Sequence, residues 1–231
     1  MASMLARALA ATPVTFAASV AELPHAAPVV LVIMENHACA QIVDSAKAPY
    51  INGLAHAGAN SSQSFAVAHP SEPNYFALFS GSTWGVRDDG AHDIDAPSLA
   101  DARGVERDFA AFPCDFASLP AVSFVIPNLA HDMQDGTVEA GDRWLKEALG
   151  AYAEWSAAHD ALLILTFDED DDKSGNRIPT LINGGPVAPG TYAERIDHHA
   201  VLRTIEAMEG LAPLAESAKR APIADVWRPL K

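Results

Sequence analysis

Cysteine is scarce in this 231-residue chain. The two present, Cys39 and Cys114, form no CxxC pair, which removes a thiolate zinc site and a scaffold built on disulfides. No apolar run approaches the roughly 20 residues needed to span a bilayer, so no stable membrane insertion is expected. Bases are few as well: 15 Lys and Arg stand against 30 Asp and Glu, a formal net charge of -15. A field of that sign works against nonspecific binding to nucleic acid or to an anionic membrane, and no nucleic-acid partner is expected. Internal repeats, heptad arrays and low-complexity tracts are absent too. With 49% apolar and 19% charged residues the composition is that of a folded chain and not a disordered one.

Residues Met1 to about His25 are Ala-rich, with one base, Arg7, ahead of an apolar segment dotted with Thr and Ser. This resembles a secretory signal, with small-x-small cleavage sites near Ala18, Val20 and Ala21, or near Ala26. The expected division is a signal peptide or disordered N-terminus over 1–25 and one domain over 26–231, in a secreted or periplasmic location. In that setting Cys39 and Cys114 either pair or stay as buried thiols.

Apolar residues gather in short continuous runs. Ala27 to Met34, Ala121 to Ile126 and Ala161 to Phe167 read as strands buried on both faces, the habit of a parallel sheet. Ser64 to Ala68 is a weaker run, and Arg177 to Asn183 reads as another strand, broken by Gly184-Gly185-Pro186. Helical patterns alternate with these. Asp142 is placed to cap a helix bearing Trp144, Leu145, Leu149, Tyr152 and Trp155 on one face. Asp197 is placed to cap a second, with the stripe Val201, Leu202, Ile205 and Met208 and a stop at Gly210. Residues 85–116 read as loop. The fold class is α/β, a mostly parallel central sheet flanked by helices.

The residues that carry chemistry stand where the strands end. Met34 leads into Glu35-Asn36-His37, Ile126 into Pro127-Asn128 and then His131-Asp132, the weaker run into His69-Pro70-Ser71-Glu72-Pro73-Asn74, and Phe167 into five acids, Asp168 to Asp172. Ligands of open α/β sheets gather beyond the carboxyl ends of the strands. Adjacent carboxylates repel unless a cation or solvent intervenes, and hard divalent ions favour carboxylate oxygen. Each junction alone is equally an ordinary polar loop; four together point to one site. Ser71 falls at or near the N-cap of a helix that Pro73 helps to start. There, free backbone N–H groups and the positive end of the helix dipole would face an anion over the hydroxyl. The alternative is a plain capping Ser.

Seven ordered blocks carry a resemblance: VVLVIMENH, APYINGLAHAGA, HPSEPNYFALFSGS, FVIPNLAHDMQDG, LLILTFDEDD, RIPTLINGG and IDHHAVLRTIEAMEGL. Spanning about residue 28 to residue 212, they resemble the phosphoesterase family of acid phosphatases and bacterial phospholipases C, in the alkaline phosphatase-like superfamily. The resemblance implies a divalent metal (Mg, Mn, Ca or Zn) bound by Glu35, Asn36, Asp168 and Glu169, with Ser71 completing the shell as nucleophile. It places His131, Asp132 and His199 across the phosphate as substrate contacts, general acid or a second metal site, with His198 as the alternative to His199. Two departures stand out: the segment between Leu99 and Phe109 is shorter than in the family, and Gln134 replaces a more common His.

The implied activity is metal-dependent hydrolysis of phosphate monoesters on a small phosphorylated substrate, through a phosphoserine. A phospholipase C-like phosphodiesterase and a non-catalytic secreted metal- or phosphate-binding protein are the alternatives. His25, His56, His92 and His159 read as surface residues, and His37 is given no role. His69 reads as structural in its turn, and Asp170 as a support behind the metal.

Overall fold

The computed structural model describes residues 23–100 and 115–229; nearly all of the expected signal segment, and Cys114, lie outside the described residues. Val29–Met34 (β1) and Leu162–Phe167 (β4) are buried at every position. A strand with neighbours on both edges and helices on both faces has no wet side, hence the unbroken apolar spelling. The two pair in parallel, from Val29 opposite Leu162 to Met34 opposite Phe167. Val122–Val125 (β3) joins the other edge of β1 in parallel. Thr180–Asn183 (β5) runs antiparallel to β4 and to Ala59–Phe65 (β2), and Gly190–Asp197 (β6) closes the order β3-β1-β4-β5-β2-β6.

Among the described residues, the α-helices that bear on the site and core are Cys39–Ile42 (α1), Pro49–Ala57 (α2), Glu72–Ser80 (α3), Val138–Ala157 (α4) and His198–Met208 (α5). Because side chains alternate along a strand, β1 feeds two cores. Val29, Leu31 and Ile33 pack with Leu78 of α3 and Val201, Leu202 and Ile205 of α5. Val30, Val32 and Met34 pack with Ile51 and Leu54 of α2 and Leu145, Leu149 and Tyr152 of α4. Each such side chain contributes about 1.5–3 kcal/mol on burial. The result is the three-layer α/β arrangement expected, with every β-to-α loop of the parallel strands at one end of the sheet.

Several local expectations change. Helix α4 starts at Val138, where Thr137 accepts the N–H of Ala140 at 3.2 Å. Asp142 therefore lies inside the helix. Its buried carboxylate instead accepts the N–H groups of Tyr50 (3.1 Å) and Ile51 (2.8 Å), capping α2, whose own N-cap Ala48 has no side chain for the task. Strand β2 begins five residues before Ser64 and ends at Phe65, leaving Ala66 to Ala68 in the loop. Only Thr180–Asn183 of the segment expected from Arg177 is a full strand; Arg177 makes a single bridge to Phe65. Asp197 caps α5 through Ala200 N at 2.9 Å, and Gly210 leaves the helix at φ 66°, both as expected.

Candidate active site

The β1–β4 register sets Met34 beside Phe167, so the next residues on each strand, Glu35-Asn36 and Asp168-Glu169, emerge side by side. Asp168 N donates to Met34 O at 2.9 Å and Asn36 N donates to Asp168 Oδ1 at 3.0 Å. Asn36 takes φ 53°, a left-handed turn that Asn tolerates better than most residues. The loop from β2 to α3 is laced by Asn74, which is fully buried. It accepts the N–H groups of Val67 and Ala68, both at 3.0 Å, and donates to the carbonyls of Ala68 and Pro70. Asn176 adds a bond to Ala68 O at 2.7 Å. That lacing delivers Ser71 to the strand ends.

Ser71 is the N-cap of α3, yet its side chain makes no capping bond. Its Oγ lies 3.1 Å from Glu169 Oε1, 3.3 Å from Asn36 Oδ1 and 3.5 Å from Glu35 Oε2. The hydroxyl is committed to the acidic cluster and not to the helix, which removes the plain-cap alternative. The expected N–H cradle at this helix end is partly taken up: Pro73 has no N–H, Glu72 N donates to Asp89 Oδ1 at 3.0 Å, and Asn74 N to Ser71 O at 2.9 Å. The positive end of the helix dipole lies at the same place.

Three side chains hold the cluster from behind. The Tyr75 hydroxyl donates to Glu35 Oε1, and Gln134 Oε1 accepts Asn36 Nδ2, which leaves the Asn36 carbonyl oxygen facing Ser71. His69 Nδ1 lies 2.5 Å from Glu169 Oε2, with carboxylate oxygens of Asp172 and Asp170 at 3.2 and 3.4 Å from its ring. The turn histidine therefore also positions a site carboxylate. Asp170 also builds the loop: its oxygens accept the N–H groups of Asp172, Ser174 and Asn176.

Burial pushes the carboxyls of Glu35, Asp168 and Glu169 above their usual range. Neighbouring acids add to this, Asp132 and Glu169 for Glu35, and Glu35 for Asp168. Burial and the nearby carboxylate of Glu35 raise the Tyr75 hydroxyl, which therefore stays a donor. Asp168 is 0% exposed and its Oδ2 has no hydrogen-bond partner. Among the described residues no three His, Cys, Asp or Glu side chains stand in ready metal-binding geometry. The donors here are mixed, three carboxylates with the Asn36 carbonyl and the Ser71 hydroxyl. Their all-oxygen chemistry, close spacing and one orphaned buried oxygen fit a hard divalent cation.

The remaining candidates are placed differently. Asp132 is buried beside Glu35: its carbonyl accepts Glu35 N at 2.8 Å, while its Oδ1 accepts Gln134 N at 2.8 Å. His131 stacks on Trp144, with ring centroids 5.9 Å apart. His199 is buried, and neither ring nitrogen has a hydrogen-bond partner. His198 Nε2 lies 2.6 Å from the carbonyl oxygen of Asp168. Ser71, Glu35, Asn36, Asp168 and Glu169 thus converge directly, whereas His131 and His199 make no hydrogen bond to Ser71. The sequence reading passed over Tyr75, although its position four residues after Ser71 on α3 was a usable signal.

The Phosphoesterase family matches residues 100–212. Phosphatidylinositol-3-phosphatase of Mycobacterium tuberculosis is 39% identical, over 98% of this chain and 91% of that protein. The acid phosphatase of Aspergillus fumigatus is 24% identical over 74% of this chain, which spans about half (53%) of that relative. A solved structure of an alkaline phosphatase superfamily protein from Vibrio parahaemolyticus superposes with a TM-score of 0.58 at 13% identity, covering 90% of this chain and 76% of that one. The last likeness establishes the alkaline phosphatase-like fold; the nearly full-length match at 39% identity establishes that the chain belongs to the Phosphoesterase family and is a hydrolase acting on phosphoric esters.

Proposed function

We propose that the chain is a metal-dependent phosphatase that hydrolyses phosphate monoesters through a phosphoserine on Ser71. One observation carries the reading: a serine hydroxyl at a helix N-terminus, free of any capping bond, stands within 3.1–3.5 Å of oxygens from Glu169, Asn36 and Glu35. Glu35, Asn36, Asp168, Glu169 and Ser71 itself would hold the divalent ion. When bound there, such an ion lowers the hydroxyl pKa and offsets phosphate charge. Mg, Mn and Ca suit the all-oxygen set; Zn would suit a second site that included His131 or His199.

Ser71 Oγ attacks phosphorus in line, its proton passing to Glu169 Oε1, the nearest acceptor at 3.1 Å. The bond to the leaving alcohol breaks as the serine–phosphorus bond forms, and water then cleaves the phosphoserine. The positive end of α3 faces the phosphoryl charge. His131 and Asp132 follow β3 at the same end of the sheet and form the leaving-group side, with His199 the other candidate. Of the two imidazoles His131 is the better placed to protonate the leaving oxygen, because both ring nitrogens of His199 are buried.

The mycobacterial relative's name makes a phosphoinositide monoester the first physiological substrate to try. No helix among the described residues is long and apolar enough to cross a membrane. The reading includes export by the 1–25 segment to a secreted or periplasmic location, tested by the N-terminus of protein recovered outside the cytoplasm. The enzymatic test compares an aryl phosphate with its diester analogue, with and without chelator, for the parent and Ser71→Ala. Faster monoester turnover, lost in both the chelated and the substituted protein, supports the reading. Faster diester turnover favours a phospholipase C-like enzyme, and cation binding without any turnover a binding protein.

A further inference from the structure

One turn along α3 from Ser71, the Tyr75 ring packs against the core between α3, α5 and the sheet. That packing sets where the ring lies but leaves its hydroxyl unused by the fold. The hydroxyl is spent on Glu35: it donates to Oε1, while Ser71 Oγ approaches Oε2 at 3.5 Å. Residues four apart share a helix face, so one helix grips both oxygens of one carboxylate. The backbone of Glu35 is pinned separately, its N–H donating to Asp132 O at 2.8 Å and its carbonyl lying 2.9 Å from His37 Nδ1. With backbone and Oε1 both fixed, the carboxylate has little freedom to turn Oε2 away from Ser71.

We infer that Tyr75 is a positioning residue: its hydroxyl orients Glu35 so that Oε2 faces the nucleophile and the cation, and thereby sets how tightly the site holds a divalent ion. The inference rests on the cation site proposed above. Groups that orient a metal-binding side chain typically change metal affinity 10- to 100-fold when removed. Tyr75→Phe keeps the packed ring and deletes only the donor.

The test is a calorimetric titration of the full chain with Mn²⁺ alone, parent against Tyr75→Phe, beside circular dichroism and melting of the metal-free proteins. Expected are Mn²⁺ binding weaker by at least about tenfold, a metal-free fold like the parent's, and a lower kcat on an aryl phosphate with KM little changed. Equal Mn²⁺ affinity in the two proteins overturns the inference. A variant that no longer folds overturns it as well, since the hydroxyl would then serve the fold. A parent that binds no Mn²⁺ sinks the cation site itself, whereas tight parental binding with an unchanged variant sinks only the role of Tyr75.

Discussion

His198 Nε2 stands 2.6 Å from the backbone carbonyl of Asp168, tying the first turn of α5 to the acidic end of β4. Burial lowers the His198 pKa to about 4, so at neutral pH the ring is uncharged and carries its proton on Nε2, facing the carbonyl. His199, one residue on, has no such bond. His198→Ala should therefore destabilise the protein by about 2 kcal/mol, from an orphaned carbonyl and a cavity. In a chain of this length that is a fall of roughly 4–8 °C in Tm. His199→Ala should cost less, and the reverse order in thermal melts would contradict the assignment.

Asp142 makes a prediction about the fold alone. Its carboxylate holds the N–H groups of Tyr50 and Ile51 at the start of α2, so Asp142→Ala leaves a buried donor and a half-buried one without that acceptor. The expected loss is about 1–3 kcal/mol. Turnover well below the new Tm should be unchanged, because the contact lies away from Ser71. A variant that melts like the parent would show that α2 needs no cap.

The acidic cluster links pH to stability. The folded pKa values of Glu35, Asp168 and Glu169 are raised, first by burial. Such groups contribute stability that is complete below their unfolded values, 4.5 for Glu and 3.8 for Asp, and is lost as pH rises through the raised folded values. Metal-free protein should thus melt higher as the pH falls from neutrality toward the unfolded values. Asp168→Asn should raise the metal-free Tm at neutral pH by roughly 2–4 °C, about 1 kcal/mol, and shrink that gain on acidification. The same variant should bind Mn²⁺ far more weakly. Scanning calorimetry that found Asp168→Asn melting lower than the parent at neutral pH, without metal, would contradict this view of the site.

What was legible in the sequence follows from how each segment is buried. Strands β1 and β4 have two dry faces and could be read directly, as could the acids that follow them. Strand β2 is spelled Ala-Asn-Ser-Ser-Gln-Ser-Phe and β6 Gly-Thr-Tyr-Ala-Glu-Arg-Ile-Asp, with mixed burial and no apolar run to mark them. Asp142 looked like a cap for its own helix because the bulky residues begin just after it. Its true partners, Tyr50 and Ile51, lie about ninety residues away and become neighbours only when α2 packs on α4. Within the site, the strand ends drew attention to Ser71, Glu35, Asn36, Asp168 and Glu169 together with His131 and Asp132, and the family resemblance singled out the first five as one shell. The grips of Tyr75 on Glu35 and of Gln134 on Asn36 depend on the folded approach of separate segments.

The central claim is that Ser71 takes the phosphoryl group. The most direct measurement is mass spectrometry of the full chain after acid quench during turnover of an aryl phosphate with Mn²⁺ present. The expected result is one phosphoryl group on the peptide containing Ser71, and none when chelator is added before the substrate. Continued hydrolysis by Ser71→Ala at the parental rate, or a phosphoryl group mapped to another residue, would contradict the account.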